Sequence, residues 1–330
     1  MTRVAVLGAG SWGTTLANVL AEKGVDVRLW AFEPEVSAAI NQRHENPLYL
    51  PGAELHPGLL ASPVLADVVH DADTICSVAP SHVSRRVWAE AAPHIGAGTR
   101  LICATKGIEA DTLLFMDGVA NDVVPQATFV ALSGPSFAEE VFESQPTAIV
   151  AASRDEAAAC AAQQLFSTAR LRVYTSDDVT GVTLAGSLKN TMAIAAGILE
   201  GLDLGNNPRA ALLTRGLAEI ARLGAALGAS ASTFSGLAGM GDLILTCTGA
   251  LSRNRQLGVA LAQGQSLTDY YATHRTVVEG VNTALAASRL AERHRVDMPI
   301  TAEVANVLFN GVSPRDSIQS LMERTLKAER

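Results

Sequence analysis

Lysine is rare in this chain, occurring only at Lys23, Lys106, Lys189 and Lys327, while arginine supplies the other strong bases. An ammonium can give up a proton and a guanidinium cannot, so particular lysines kept in such a chain have a chemical reason to be there. Lys23 and Lys327 read as solvated surface positions. Lys106 follows an apolar run in Ala104-Thr105-Lys106-Gly107, and Lys189 stands in Ala185-Gly186-Ser187-Leu188-Lys189-Asn190 within an apolar helical pattern. Burial there lowers an ammonium from about 10.4 toward the range of a general acid. The alternative is a side chain that snorkels to solvent from the helix edge. A carboxylate closes Gly239-Met240-Gly241-Asp242, and Ser252-Arg253-Asn254-Arg255 follows at a predicted helix start. Arginine with free amide donors at a helix N-terminus receives phosphate, although a solvated basic turn has the same composition.

A second constellation lies at the start of the chain. Val4 to Leu7 form an apolar run, and Gly8, Gly10 and Gly13 follow in G-x-G-x-x-G spacing before a helical pattern. Gly8 allows a tight turn, Gly10 lets backbone approach a pyrophosphate, and Gly13 packs the new helix on its strand. The acidic Glu33, about twenty residues beyond the last glycine, is placed for a ribose hydroxyl. Strand before, helix after and acid beyond set this apart from a chance glycine-rich turn.

The elements that must hold these groups alternate through the first half. Strands are predicted at Arg3 to Leu7, Val25 to Trp30, Thr74 to Val78, Arg100 to Ala104, Thr128 to Leu132, Thr147 to Ala152 and Leu171 to Tyr174. Helices are predicted at Gly13 to Lys23, Ser81 to Ala92 and Asp155 to Ser167. The pattern is that of an α/β Rossmann-type domain, a doubly wound, mostly parallel sheet. Asn41 to Pro63, with four prolines, is expected to be an irregular excursion bordering a cofactor and not part of the core. After about Thr175 the pattern becomes all-α, with helices at Asp178 to Leu202, Pro208 to Leu227, Arg253 to Gln263, Glu279 to His294 and Pro299 to Phe309. Pro208 and Pro299 are expected at first helical positions. Two domains follow, 1–180 with the dinucleotide-binding pattern and 181–330 all-helical, the latter expected to carry the substrate-binding and catalytic groups.

Loops after the predicted strands carry further polar groups, where open α/β sheets bind ligands. Ser136 with Glu139 fits a capping box, so Ser136 is either a cap or a ligand contact. His82 after Pro80 has no evident carboxylate partner and reads as structural or exposed. Cys76, Cys103, Cys160 and Cys247 are scattered, as buried thiols of a reducing cytoplasm are, with no metal or disulfide spacing. A net charge of −8 argues against nucleic acid or an anionic membrane as partner. No signal peptide is read, and the most apolar helix carries Lys189 and Glu200, which argues against membrane insertion.

GAGSWG, VAPSH, ATKG, SGPSFA, LKN, RGLAEIARLGAALGA, GLAGMGDLILTCT, SRNR, VVEG and MPIT, in this order across nearly the whole chain, resemble the bacterial NAD(P)-dependent glycerol-3-phosphate dehydrogenase family. The resemblance implies reversible hydride transfer between NAD or NADP and dihydroxyacetone phosphate, giving sn-glycerol 3-phosphate for phospholipid synthesis in the cytoplasm. It makes Lys189 the acid/base with Asp242 beside it, puts Lys106 against substrate and near the cofactor, and sets Gly134 and Ser136 at the substrate's border. It assigns the phosphate to Ser252, Arg253 and Asn254, and lines the cofactor with Ser11, Trp12, Phe32, Lys106, Ala138, Arg253, Val277 and Glu279 besides the glycines and Glu33. Phe32 stands where some relatives carry His or Arg. A homodimer is an assembly open to the chain. Two other readings stay open, a 6-phosphogluconate or 3-hydroxyacid type of dehydrogenase and a catalytically silent NAD-binding sensor.

Overall fold

The computed structural model describes residues 3–274, 277–326, 328 and 329. Among them, β1 (Arg3–Leu7), β2 (Asp26–Trp30), β3 (Leu60–Ser62), β4 (Thr74–Ser77), β5 (Arg100–Cys103), β6 (Thr128–Ser133), β7 (Thr147–Ala152) and β8 (Leu171–Ser176) form one sheet. Their order is β3-β2-β1-β4-β5-β6-β7-β8. All neighbours run parallel except β6 and β7. In β1, Val4 and Val6 enter one apolar cluster while Ala5 and Leu7 enter another, so the strand is covered on both faces and reads as a continuous apolar run. Leu7 pairs with Trp30 and Ser77, and Ser77 with Cys103, which aligns the carboxyl ends of β1, β2, β4 and β5. Cys76 and Cys103 fall in the two different clusters, on opposite faces of the sheet. Cys160 is half-buried, unlike the other three thiols.

The helices accompanying this sheet are α1 (Ser11–Glu22), α2 (Pro34–Arg43), α3 (Leu65–Val69), α4 (Ser81–Ala91), α5 (Met116–Val123), α6 (Ala138–Phe142) and α7 (Glu156–Phe166). The 41–63 stretch departs from the irregular excursion its prolines predict. It contributes β3, and its Leu50, Leu55, Leu59 and Ala61 are buried in the core, so it builds the domain as well as covering it. Lys23 is exposed, as expected of a surface lysine, and its ammonium donates to the carbonyls of Gln164 (2.8 Å), Leu165 (2.6 Å) and Ser167 (2.7 Å) at the end of α7. A cation there satisfies carbonyls that have no intrahelical donor and complements the helix dipole. Burial pushes its pKa below the usual lysine value. Lys327 lies outside the described residues.

The chain divides into two compact units, Met1–Glu109 with Leu114–Thr183, and Ala110–Leu113 with Leu184–Arg330. α8 (Val179–Gly201) runs through the division and leads into α9 (Asn206–Ala226), α10 (Ala231–Phe234), a π-helical turn at Leu237–Gly241, α11 (Asp242–Thr248), α12 (Arg253–Ala262), α13 (Leu267–Thr273), α14 (Glu279–His294), α15 (Pro299–Phe309) and α16 (Pro314–Met322). α8 is long and apolar enough to cross a membrane, but 89% of its most apolar window is buried inside the protein, as in a core helix. α9 begins at Asn206, so Pro208 is its third residue and not its first. Proline is tolerated there because the first N–H groups of a helix have no intrahelical acceptor. α8 and α12 cross where a Cβ on Gly197 would lie 1.9 Å from the Arg255 carbonyl oxygen, and one on Gly258 2.1 Å from that of Ile194. This crossing sets the start of α12 close to the middle of α8.

Candidate functional site

In the first unit the three glycines of the loop differ in local geometry. Gly8 has φ +112°, and a Cβ on Gly13 would sit 1.9 Å from the Gly8 carbonyl oxygen. A Cβ on Gly10 would meet nothing within 4 Å. That open space lies at the start of α1, whose first turn carries no acidic residue and no side-chain cap. Amide donors, the positive end of the helix dipole and room beside Gly10 fit a dinucleotide's pyrophosphate.

The stretch 46–50 fastens this loop. Buried Asn46 donates from Nδ2 to the Ala9 carbonyl and to Thr14 Oγ1, both at 2.8 Å. Ser11 Oγ donates to the Tyr49 carbonyl at 2.6 Å, and the Tyr49 hydroxyl donates to Glu33 Oε1 at 2.7 Å. Trp12 is half-buried against the core, while Phe32 is 67% exposed and meets Trp30 edge-on.

Beyond β4, β5 and β6 the loops tie together. Thr105 Oγ1 donates to the Ala79 carbonyl at 2.7 Å, and the Gly134 carbonyl accepts from both Lys106 Nζ and Ser136 Oγ at 3.1 Å. Ser136 does not cap a helix, because Phe137 holds the N-cap position of α6 and no side chain bonds there. The Ala138 carbonyl accepts from Thr15 Oγ1 of α1 at 3.2 Å. Gly8, Lys106, Gly134, Ser136 and Ala138 thus belong to one end of one sheet. His82 is exposed near the start of α4.

In the second unit Lys189 is buried on α8, and its ammonium is ion-paired with Asp242 Oδ1 and donates to Thr246 Oγ1 at 2.8 Å. It does not snorkel. Asp242 and Thr246 are four residues apart on α11, hence on one face, and Thr246 Oγ1 donates back to the Asp242 carbonyl at 2.7 Å. Thr246, given no role by sequence reasoning, is signalled only by that i, i+4 spacing. Neighbouring Cys247 is pushed up to about 12 by burial, with Asp242 adding to the rise and Lys189 opposing it.

Asn190 and Asn254 join next to it. Asn254 Nδ2 donates to Asn190 Oδ1 at 3.0 Å, and its Oδ1 accepts from the Gly280 N–H at 2.9 Å, linking α8, α12 and α14. Ser252 is the N-cap of α12 and accepts from the Arg255 N–H at 3.3 Å. Of the two arginines, Arg255 is paired with Glu200 at 3.2 Å, whereas Arg253 is exposed at the first helical position with no ion pair among the described residues. Glu279 opens α14, and Val277 is half-buried just before it.

Residues 3–159 match the N-terminal region, and residues 178–319 the C-terminal region, of NAD-dependent glycerol-3-phosphate dehydrogenase. The chain belongs to the NAD-dependent glycerol-3-phosphate dehydrogenase family. A glycerol-3-phosphate dehydrogenase [NAD(P)+] of Geobacter metallireducens is 53% identical over 99% of both chains. One from Koribacter versatilis is 50% identical over 100% of this chain and 99% of its own. The crystal structure of glycerol-3-phosphate dehydrogenase from Coxiella burnetii superposes with a TM-score of 0.94 at 39% identity, covering 98% of this chain and 99% of that one. As a dehydrogenase of this family, the chain is an NAD(P)-dependent oxidoreductase.

Proposed function

We propose that this chain catalyses the reversible reduction of dihydroxyacetone phosphate to sn-glycerol 3-phosphate with NADH or NADPH. The observation that carries the reading is the buried Lys189–Asp242–Thr246 cluster, an ammonium held in place with a carboxylate and a hydroxyl. A bound nicotinamide supplies the hydride. As the ketone is reduced, negative charge grows on its oxygen, and the Lys189 ammonium stabilises that charge and delivers the proton. Asp242 keeps the charged form paired at depth, and Thr246 fixes the direction of Nζ. Arg253 and the amide groups opening α12 hold the phosphate, with Ser252 at the cap. Asn254 supports this from behind, since its amide oxygen and nitrogen already join α14 and α8. Lys106, Gly134 and Ser136 border the substrate, and Ser11, Trp12, Phe32, Glu33, Ala138, Val277 and Glu279 border the cofactor. Residues 1–180 act as the cofactor domain and 181–330 as the substrate domain. The product serves phospholipid synthesis in the cytoplasm.

The direct test is loss of NADH absorbance with dihydroxyacetone phosphate. Turnover with that substrate and none with unphosphorylated dihydroxyacetone at equal concentration is the expected result. Absence of turnover with either reduced cofactor would reject the reading.

A further inference from the structure

We propose that Tyr49 sets the cofactor's 2′ specificity: by holding the Glu33 carboxylate just beyond β2, it makes the site favour the free ribose hydroxyl of NAD over the 2′-phosphate of NADP. The inference rests on the dehydrogenase reading and concerns residues of the first unit only.

An acidic side chain beyond the second strand of a dinucleotide fold accepts from the ribose 2′-OH and repels a phosphate in its place. Glu33 occupies that position, three residues past Trp30 and in extended conformation at the start of α2. Left alone, a glutamate on this rim could swing into solvent and lose its selectivity. Tyr49 restrains it through the 2.7 Å bond from its hydroxyl. The phenol is itself anchored, since its backbone carbonyl accepts from Ser11 Oγ and its N–H donates to Asn46 Oδ1 at 3.1 Å. Burial and the neighbouring carboxylate push the Tyr49 hydroxyl up to about 12, so it remains a donor at neutral pH.

The arginines on the two elements that flank Glu33, β2 and α2, are engaged with other partners. Arg28 on β2 donates to the Asp67 carbonyl at 3.2 Å, and Arg43 is paired with Glu45. Phe32, between the strand and Glu33, presents an exposed uncharged ring.

Fluorescence titration of the full-length protein with NADH and NADPH, at low and high salt, tests the proposal on the parent, Tyr49→Phe and Glu33→Gln. The parent is expected to bind NADH at least about tenfold more tightly, with the preference shrinking as salt screens the repulsion. Glu33→Gln should erase most of the preference by strengthening NADPH. Tyr49→Phe keeps the ring and should cut the preference at least about threefold by weakening NADH alone, in line with loss of one hydrogen bond. A parent that binds the two cofactors equally or prefers NADPH overturns the proposal. So does a Tyr49→Phe protein that loses both affinities by the same factor, which would make Tyr49 a loop support only. If Tyr49→Phe fails to fold, Glu33→Asp decides: its carboxylate keeps the charge but falls short of the Tyr49 hydroxyl, and an unchanged preference there overturns the proposal. Turnover of dihydroxyacetone phosphate by a parent without cofactor preference would sink this inference alone, whereas a parent that neither binds nor turns over sinks the dehydrogenase reading beneath it.

Discussion

An ammonium as deeply buried as that of Lys189 is stable only because a carboxylate and a hydroxyl replace its water. This makes stability and catalysis separable. Lys189→Met leaves Asp242 buried without its partner, which should cost about 3 to 5 kcal/mol of unfolding free energy, and Lys189→Met with Asp242→Asn should recover much of it. Chemical denaturation reads that difference, and the double variant should stay inactive. If Lys189 transfers the proton, Lys189→Arg should lose at least about a hundredfold in kcat, nearly as much as Lys189→Met, because a guanidinium is a poor acid. A Lys189→Arg enzyme within about tenfold of the parent would leave the residue an electrostatic role only. Arg253→Ala should cost about 2 to 4 kcal/mol in kcat/KM for dihydroxyacetone phosphate, since Arg255 is committed to Glu200 and cannot replace it. Unchanged kinetics in that variant would reject the phosphate assignment.

Elements decide which of these residues could be foreseen. β1 and the glycine loop were legible because an apolar run, three glycines and a helix follow within a few residues, and α14 and α15 because Glu279 and Pro299 open them. β3 was not: it has three residues, pairs only with β2, and lies in a proline-rich stretch. Asn46 and Tyr49 left no local signal, because Asn46 meets Ala9 across 37 positions and Tyr49 meets Glu33 across 16. The loop's geometry predicts opposite outcomes for two substitutions. Gly13→Ala should destabilise the first unit by forcing α1 off its strand, whereas Gly10→Ala should fold normally and bind NADH poorly, read by melting and by fluorescence. In the second unit α15 is capped from a distance: buried Glu219 of α9 accepts from the Ile300 and Thr301 N–H groups at 2.7 and 3.1 Å and from Thr301 Oγ1 at 3.1 Å. Burial raises its pKa above the usual 4.5, although those bonds and Arg222 oppose the rise. A carboxyl raised in the folded state binds its proton more tightly there than when unfolded. Its contribution therefore declines as pH rises from that unfolded value through the folded one. Glu219→Ala should lower stability by about 1 to 3 kcal/mol near neutrality, through the unsatisfied helix start, and should remove this downward slope from a pH series of melts.

At the scale of the molecule, a net charge of −8 requires that any anionic ligand be held by local donors instead of a basic surface. The glycine loop belongs to the first compact unit, and Lys189, Asp242 and Arg253 belong to the second. Ligand-induced stabilisation can therefore assign each group to its ligand without any turnover being measured. A ligand that binds only the folded protein stabilises it by about 2.7 kcal/mol at a hundred times its Kd. NADH at that level should raise the parent's melting temperature, and the gain should vanish in Gly10→Ala while surviving in Lys189→Met. Glycerol 3-phosphate should show the converse dependence, its gain lost in Arg253→Ala and retained in Gly10→Ala. Arg253 is the sharpest case, because the family resemblance gives it both to the phosphate and to the cofactor's border. If Arg253→Ala abolishes stabilisation by glycerol 3-phosphate and leaves that by NADH intact, its charge serves the substrate. Loss of both would make it a shared contact, and loss of the NADH effect alone would remove it from the phosphate site and leave the amide groups opening α12 as the receptor.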